Sequence, residues 1–229
     1  MVKVGVLGPK GFVGSSLVNY LNKKNNYKVF RIDRNFLENR SLKYKLDYLF
    51  HCANSGNKKK VNENYHGDII NSLNLINKVK KKLLFKKLIL ISTISARIEN
   101  NPYGFNRRII EEYTSKFIDN SLIIRLPVLL NLFQKRGILW DIINSKNIYI
   151  SKKSLVNPIS TLQMSRLVHS KLKHSGVIEI GSDKSISLEK IAEIIKSKSY
   201  FEGKKVNLLS NRHCQNAKLD DLIKDIKNF

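Results

Sequence analysis

Apolar positions along the chain change period at regular intervals, and each change marks the border of a strand or a helix. Val2, Val4 and Val6 alternate in a short apolar run, which predicts an opening strand. Val13, Leu17, Val18 and Leu21 then recur at helical spacing, so a helix follows. Further strands are expected at Tyr27 to Asp33, Asp47 to Cys52, Lys87 to Ile91, and Leu122 to Leu126 closed by Pro127. Between them, Asn64 to Lys81 sets Ile69, Ile70, Leu73, Ile76 and Val79 on one helical face. Tyr103 to Phe117 does the same with Ile109, Ile110, Tyr113 and Phe117. Strand and helix in repeated alternation specify an α/β fold with a doubly wound parallel sheet. Beyond Pro127 the pattern loosens. Helices are expected near Ile138 to Asn144, Thr161 to Lys173, Leu188 to Ser197 with Ser187 as N-cap, and Leu219 to Lys227, with short strands at Ile148 to Ile150 and Val177 to Ile180.

Three glycines, Gly8, Gly11 and Gly14, stand where the first strand gives way to the first helix. This is the layout of a phosphate-binding turn. Gly8 allows the tight turn, Gly11 lets backbone amides approach a pyrophosphate, and Gly14 seats the helix against the sheet. The helix then presents N–H groups and its positive dipole end to the anion. Spaced glycines can also make an ordinary tight turn, but the flanking strand and helix are the context the motif requires. Asp33 ends the second strand about 20 residues later, where a carboxylate accepts hydrogen bonds from adenosine ribose hydroxyls. That favours NAD. Arg34 follows directly and can pair with the 2′-phosphate of NADP, so both cofactors stay open, and Asp33 can equally cap the next turn. The small-residue loop from Ala53 and Asn54 to Asn57 lies where open parallel sheets line a cofactor crevice.

With these residues in view, the chain resembles the extended short-chain dehydrogenase/reductase family, the group of nucleotide-sugar epimerases, dehydratases and reductases. Gly8-Pro9-Lys10-Gly11-Phe12-Val13-Gly14 is similar to its glycine fingerprint, and Phe50-His51-Cys52-Ala53-Asn54 to its third-strand motif. Asn64 is similar to the asparagine opening the next helix, Ser92-Thr93 to the Ser/Thr position, Tyr103 to Arg107 to the Tyr-x-x-x-Lys pair, and Ile124 to Pro127 to the strand whose proline packs near the nicotinamide. The resemblance implies a Rossmann core over about 1–130 and a small C-terminal α/β substrate-binding lobe over about 131–229, together one unit. It also implies NAD or NADP as cofactor, a nucleotide-sugar substrate, and a homodimer through the two central helices. Lys10, Phe12, Val13, Ala53, Asn54, Ser92 and Pro127 would join the glycines, Asp33 and Arg34 around the cofactor. Thr93 would orient the substrate, Tyr103 serve as acid/base, and Arg107 anchor ribose and modulate Tyr103. Ten positions separate Thr93 from Tyr103, and this short loop is similar to that of capsular-polysaccharide UDP-sugar reductases.

The pairing has a physical logic of its own. Tyr103 and Arg107 lie one helical turn apart and share a face, so the guanidinium is expected to lower the phenol pKa. Arginine keeps the charge of the family's lysine and changes its geometry. Arg125, Arg136, Lys152 and Lys153 are candidates for diphosphate contacts, and Asn157, Pro158 and Ser160 fall in the family's substrate-closing segment.

Composition changes the picture little. The net charge of +24 would attract nucleic acid or other anions, yet the lysines are spread along the chain into solvated loops and helix ends. Nucleic-acid binding is therefore not expected but stays open, as does a non-catalytic NAD(P)-binding protein with a basic surface for RNA or a protein. No apolar run reaches the roughly 18 to 20 residues of a membrane span. No leader pattern precedes the first strand, so a cytoplasmic protein is expected. Two cysteines, Cys52 and Cys214, suggest neither a disulfide framework nor zinc, and His51, His169 and His174 show no ligand spacing, so no metal is assigned.

Overall fold

The computed structural model describes residues 1–39, 45–131, 134, 136–211 and 215–227, so Cys214 lies outside the described residues. Strand β1 (Val2–Leu7) runs through the glycine turn into α1 (Phe12–Asn22). There follow β2 (Tyr27–Ile32), α2 (Arg34–Asn39), β3 (Leu46–His51), α3 (Lys58–Glu63), α4 (Tyr65–Lys82), β4 (Phe85–Thr93), α5 (Ser95–Ile98), α6 (Pro102–Phe117) and β5 (Ser121–Leu126). The remaining elements are β6 (Leu129–Leu130), α7 (Ile138–Ile143), β7 (Leu155–Val156), β8 (Ile159–Ser160), α8 (Thr161–Ser170), β9 (Gly176–Glu179), β10 (Gly181–Ser182), β11 (Ile186–Ser187), α9 (Leu188–Ile194), β12 (Gln215–Ala217) and α10 (Leu219–Lys227).

Six strands form one sheet in the order β2-β1-β3-β4-β5-β9. β1 pairs in parallel with β2 and β3, and β3 in parallel with β4. This is the doubly wound parallel α/β architecture that the strand and helix order predicts. The order reverses between β1 and β3, and at such a switch point the loops at the strand ends diverge and leave a crevice.

The core is built by the apolar faces the periodicity marks. Val4 and Val6 of β1 and Leu17 and Leu21 of α1 are fully buried. A contiguous cluster joins Leu7, Ile32, Leu49, Leu88 and Leu90 from the strands to Ile76 and Val79 of α4 and Ile110 of α6. The expected faces of two helices hold at Ile76, Val79 and Ile110 and fail at single positions. In α4 Ser72 is buried and Ile70 is 58% exposed; in α6 Phe117 is exposed while Tyr103, Asn106, Arg107, Glu111 and Thr114 are buried.

The chain divides into two compact units, one comprising Met1–Arg125 with Val168–Ile178, the other Leu126–Leu167 with the chain from Glu179 onward. Within the second, β6 pairs with β8, β7 with β11 and β10 with β12. Ser160 and Gln163 cap the start of α8 reciprocally, each backbone N–H donating to the other's side-chain oxygen at 2.9 and 3.1 Å. Asn157 is fully buried as a structural link, its Nδ2 donating to the Ser182 carbonyl at 3.2 Å and its Oδ1 accepting the Ser210 N–H at 3.2 Å. The expected strand at Ile148 to Ile150 reduces to a single bridge between Ile148 and Phe201, and α8 ends at Ser170, three residues short of the expected Lys173.

Candidate active site

The glycine turn closes as its spacing requires. Gly8 takes a φ of +78°, its N–H donates to the Ile32 carbonyl at 3.2 Å, and its own carbonyl accepts the Gly11 N–H at 3.0 Å. A Cβ at Gly14 would lie 2.2 Å from the Gly8 carbonyl oxygen, so only glycine lets α1 start this close to the turn. Gly11 is the N-cap of α1 and no side chain caps that terminus. A helix N-terminus of this kind, set at a glycine turn, is suited to an anion.

Gly8, Lys10, Gly11, Asp33, Arg34, Ala53 and Asn54 line one cavity of about 310 Å³, walled by Leu7, Ile32, Leu37 and Leu75. Phe12 and Val13 continue into the first turn of α1. Asp33 does two things: Oδ1 accepts the Phe36 N–H at 2.9 Å and caps α2, while Oδ2 lies 3.9 Å from the Lys10 ammonium. Both amide atoms of Asn54 are buried without a hydrogen-bond partner.

Helix α6 places the second group of residues. Asn101 caps it, accepting the Gly104 N–H at 2.9 Å, and Pro102 opens the first turn, so Tyr103 enters facing inward. Tyr103 is 6% exposed, its N–H donates to Asn62 Oδ1 at 3.0 Å, and it stands beside Thr93 at the end of β4. Arg107 is 2% exposed, ion-paired with Asp68 of α4, and its Cζ lies 5.0 Å over the centroid of the Tyr103 ring. Its Nε and Nη1 are buried with no partner, as are both ring nitrogens of His51. The Lys58 ammonium is 5.6 Å from the same Tyr103 centroid and paired with Glu99.

Electrostatics correct one expectation. Burial pushes the Tyr103 phenol up, Arg107 and Thr93 pull it down, Glu99 and Asp68 push it up again, and the balance lies above the ordinary tyrosine value. The expected lowering fails because burial of the phenol outweighs the pull of Arg107, and the carboxylates paired with the nearby cations push the other way. His51 is driven down to about 4, first by burial and then by the charge of Arg107. Glu99 is raised by burial, but Lys58, Asn101 and Ser95 outweigh this and hold it below the usual carboxylate range.

Other residues singled out in the sequence have structural partners. The Ser92 hydroxyl donates to buried Glu111, and Arg125 grips the same carboxylate with Nε at 3.1 Å and Nη2 at 2.6 Å. Lys152 pairs with Glu189 at 2.6 Å. Arg125 and Lys152 are thus committed to carboxylates. Pro127 is buried directly after β5. Asp68, Lys58 and Glu99 escaped the sequence reading. Asp68 left one trace: it is the single acidic residue of α4. Among the described residues no cluster of His, Cys, Asp and Glu could hold a metal, and no helix is long and apolar enough to cross a membrane.

No protein-family model and no curated protein sequence matches the chain. Solved structures do. The chain resembles a UDP-N-acetylglucosamine 4-epimerase from Methanobrevibacter ruminantium in complex with UDP-N-acetylmuramic acid, with a TM-score of 0.75, 19% identity, and coverage of 99% of this chain and 96% of that one. It resembles a dTDP-4-dehydrorhamnose reductase from Clostridium acetobutylicum with a TM-score of 0.77, 14% identity and 100% of both chains. A third match is MoeE5 in complex with UDP-glucuronic acid and NAD, with a TM-score of 0.74, 14% identity, and 99% and 93% of the two chains. The chain has the fold of these enzymes. At such identities the likeness is one of architecture, and function has to be argued from the site.

Proposed function

We propose that the chain binds NAD or NADP at the glycine turn and interconverts a nucleotide-activated sugar as an epimerase, dehydratase or reductase, with Tyr103 exchanging the proton. The observation that carries this reading is the placing of Tyr103 beside Thr93, which ends β4 on the same edge of the parallel sheet as the glycine turn at the end of β1. The residues present fit a dinucleotide. The Gly8, Gly11 and Gly14 cradle and Lys10 suit a pyrophosphate, Asp33 a ribose diol, and Arg34 a 2′-phosphate. The orphaned donors of Arg107 and the orphaned amide of Asn54 suit a ligand rich in hydroxyl and carbonyl oxygens. The nicotinamide, when bound, supplies hydride chemistry at carbon. The chain supplies the rest: Thr93 holds the sugar oxygen, and Tyr103 gives that oxygen its proton. A phenol kept protonated at neutral pH suits the reducing direction. UDP-sugar derivatives bound by two of the structural neighbours motivate the substrate class.

Titration of the protein with NADH and NADPH tests the cradle, and failure of both to bind saturably overturns the reading. A screen of UDP-, dTDP- and GDP-4-keto sugars then tests the reaction. Tyr103→Phe is expected to lower turnover by about 10²-fold or more with cofactor affinity kept. Unchanged turnover removes Tyr103 from its role. Cofactor binding without turnover, joined to salt-sensitive RNA binding, would replace the enzyme by a binding protein. A homodimer through α4 and α6 is also proposed, since Tyr65 and Ile70 of α4 and Phe105 and Phe117 of α6 are exposed apolar side chains. A monomeric mass by sedimentation at micromolar concentration overturns it.

A further inference from the structure

Arg107 meets Tyr103 as a buried cation over its ring, already paired with a carboxylate. A planar guanidinium can donate in its plane to a carboxylate while its face lies against an aromatic ring. Here Nη2 donates to Asp68 Oδ2, and Cζ stands 5.0 Å over the Tyr103 centroid. The Asp68 carboxylate is braced from a second side, because Asn106 Nδ2 donates to the same oxygen at 3.0 Å and to the Tyr65 carbonyl at 2.8 Å. Side-chain exposures of 2% for Arg107 and 11% for Asp68 make this a pair with little water to screen it.

The second cation over the ring repeats the arrangement. Lys58 of α3 approaches Tyr103 to 5.6 Å and is matched by Glu99, which is itself held by Ser95 Oγ at 3.0 Å and Asn101 Nδ2 at 3.0 Å. Each cation facing the phenol therefore brings its own carboxylate. Further polar groups around it are Thr93 from β4, Asn62 of α3, which accepts the Tyr103 N–H at 3.0 Å, and His51 from β3, which stands near Arg107 and is neutral well above pH 4.

Resting on the reading of Tyr103 as the proton donor, we propose that Asp68 is its positioning residue: braced by Asn106, it fixes Arg107 over the Tyr103 ring and offsets the guanidinium charge, so that the phenol works beside an ion pair instead of a lone cation. A lone cation would favour the phenolate and weaken Tyr103 as a donor. The pair keeps the orienting contact of the arginine and withholds part of its field. The opposed effects of Arg107, which pulls the phenol down, and of Asp68, which pushes it up, agree with this arrangement.

The test follows Tyr103 itself. Protein labelled with ¹³C at the tyrosine ζ-carbons is titrated by NMR, the Tyr103 resonance being the one lost in Tyr103→Phe. Asp68→Asn is expected to move the Tyr103 titration to lower pH, and Asp68→Glu to leave it near that of the parent. An unmoved or raised titration in Asp68→Asn overturns the proposal. If Asp68→Asn does not fold, the double variant Asp68→Asn/Arg107→Gln, which removes both charges, is expected to titrate near the parent, and a large displacement in either direction overturns it. The titration needs neither cofactor nor substrate, so it stands or falls apart from NAD(P)H binding and turnover. Once a substrate is known, the pH–rate profile of Asp68→Asn has to shift in the same direction as the NMR titration; a profile that stays in place ends the positioning role.

Discussion

A methyl group at Gly14 would press on the Gly8 carbonyl oxygen from 2.2 Å, and the atom it meets is backbone that cannot swing aside. Gly14→Ala is therefore expected to cost about 1–3 kcal/mol of stability, read by urea denaturation, and to weaken NADH or NADPH binding together with it. Parent-like stability and affinity would contradict the close approach. His51 gives a residue-scale pH dependence. Its folded pKa of about 4 lies below its ordinary 6.5, so above pH 6.5 both folded and unfolded chains hold it neutral and no stability is lost. As pH falls from 6.5 toward 4, the unfolded chain takes up a proton that the folded chain refuses. Stability is expected to drop over that window by about 3 kcal/mol, and His51→Gln to flatten the drop. A His51→Gln protein with the same acid profile would refute this.

At the scale of elements, α6 bears on most of the site, because its buried stripe is polar. Tyr103, Asn106, Arg107, Ile110, Glu111 and Thr114 recur at helical spacing, and α4, β4 and β5 answer with Asp68, Ser92 and Arg125. Two consequences can be measured. Asn101→Ala removes the α6 cap and one of the bonds to Glu99, and is expected to cost about 1 kcal/mol with a larger loss of turnover than Asn64→Ala, which uncaps α4 by a comparable amount. Glu111→Ala leaves Arg125 without the carboxylate it grips and is expected to cost about 3–5 kcal/mol. A loss below about 1 kcal/mol would mean that the pair is better hydrated than its 18% and 5% side-chain exposures imply.

For the whole molecule, the net charge of +24 sets the terms. The better-buried pairs at Asp68, Glu99 and Glu111 tie up few of the cations, and exposed pairs such as Lys190–Glu193 contribute little. Uncompensated lysines repel one another across the surface, and salt screens that repulsion within about 10 Å. The melting temperature is expected to rise between 10 and 150 mM NaCl, as the Debye length falls from about 30 Å to about 8 Å. A melting temperature that falls with salt would show that attractive pairs outweigh the repulsion.

The sequence by itself determined what short-range spacing can encode. Alternation of period two and period 3.6 named the β1, α1 and β2 succession and the sheet class, and Gly8, Gly11 and Gly14 defined a turn whose geometry depends only on neighbours a few residues away. Asp33 could be placed by counting from that turn, and its capping of α2 was foreseeable because Phe36 is three residues on, whereas its place in the cavity wall needed β1, β2 and β3 side by side. The tertiary structure alone decided the polar pairing. Arg107 and Asp68 are 39 positions apart, Lys58 and Glu99 are 41, and Glu111 reaches Ser92 across 19 and Arg125 across 14. No periodicity links such positions; packing α6 among α3, α4, β4 and β5 does. The same packing left Ile70 exposed and buried Ser72, because which positions flank the buried face is set by the neighbour that covers it. It also reversed the expected effect on Tyr103: one turn of spacing puts a cation beside the phenol, but only the assembled site supplies the carboxylate that offsets it and the burial that outweighs it.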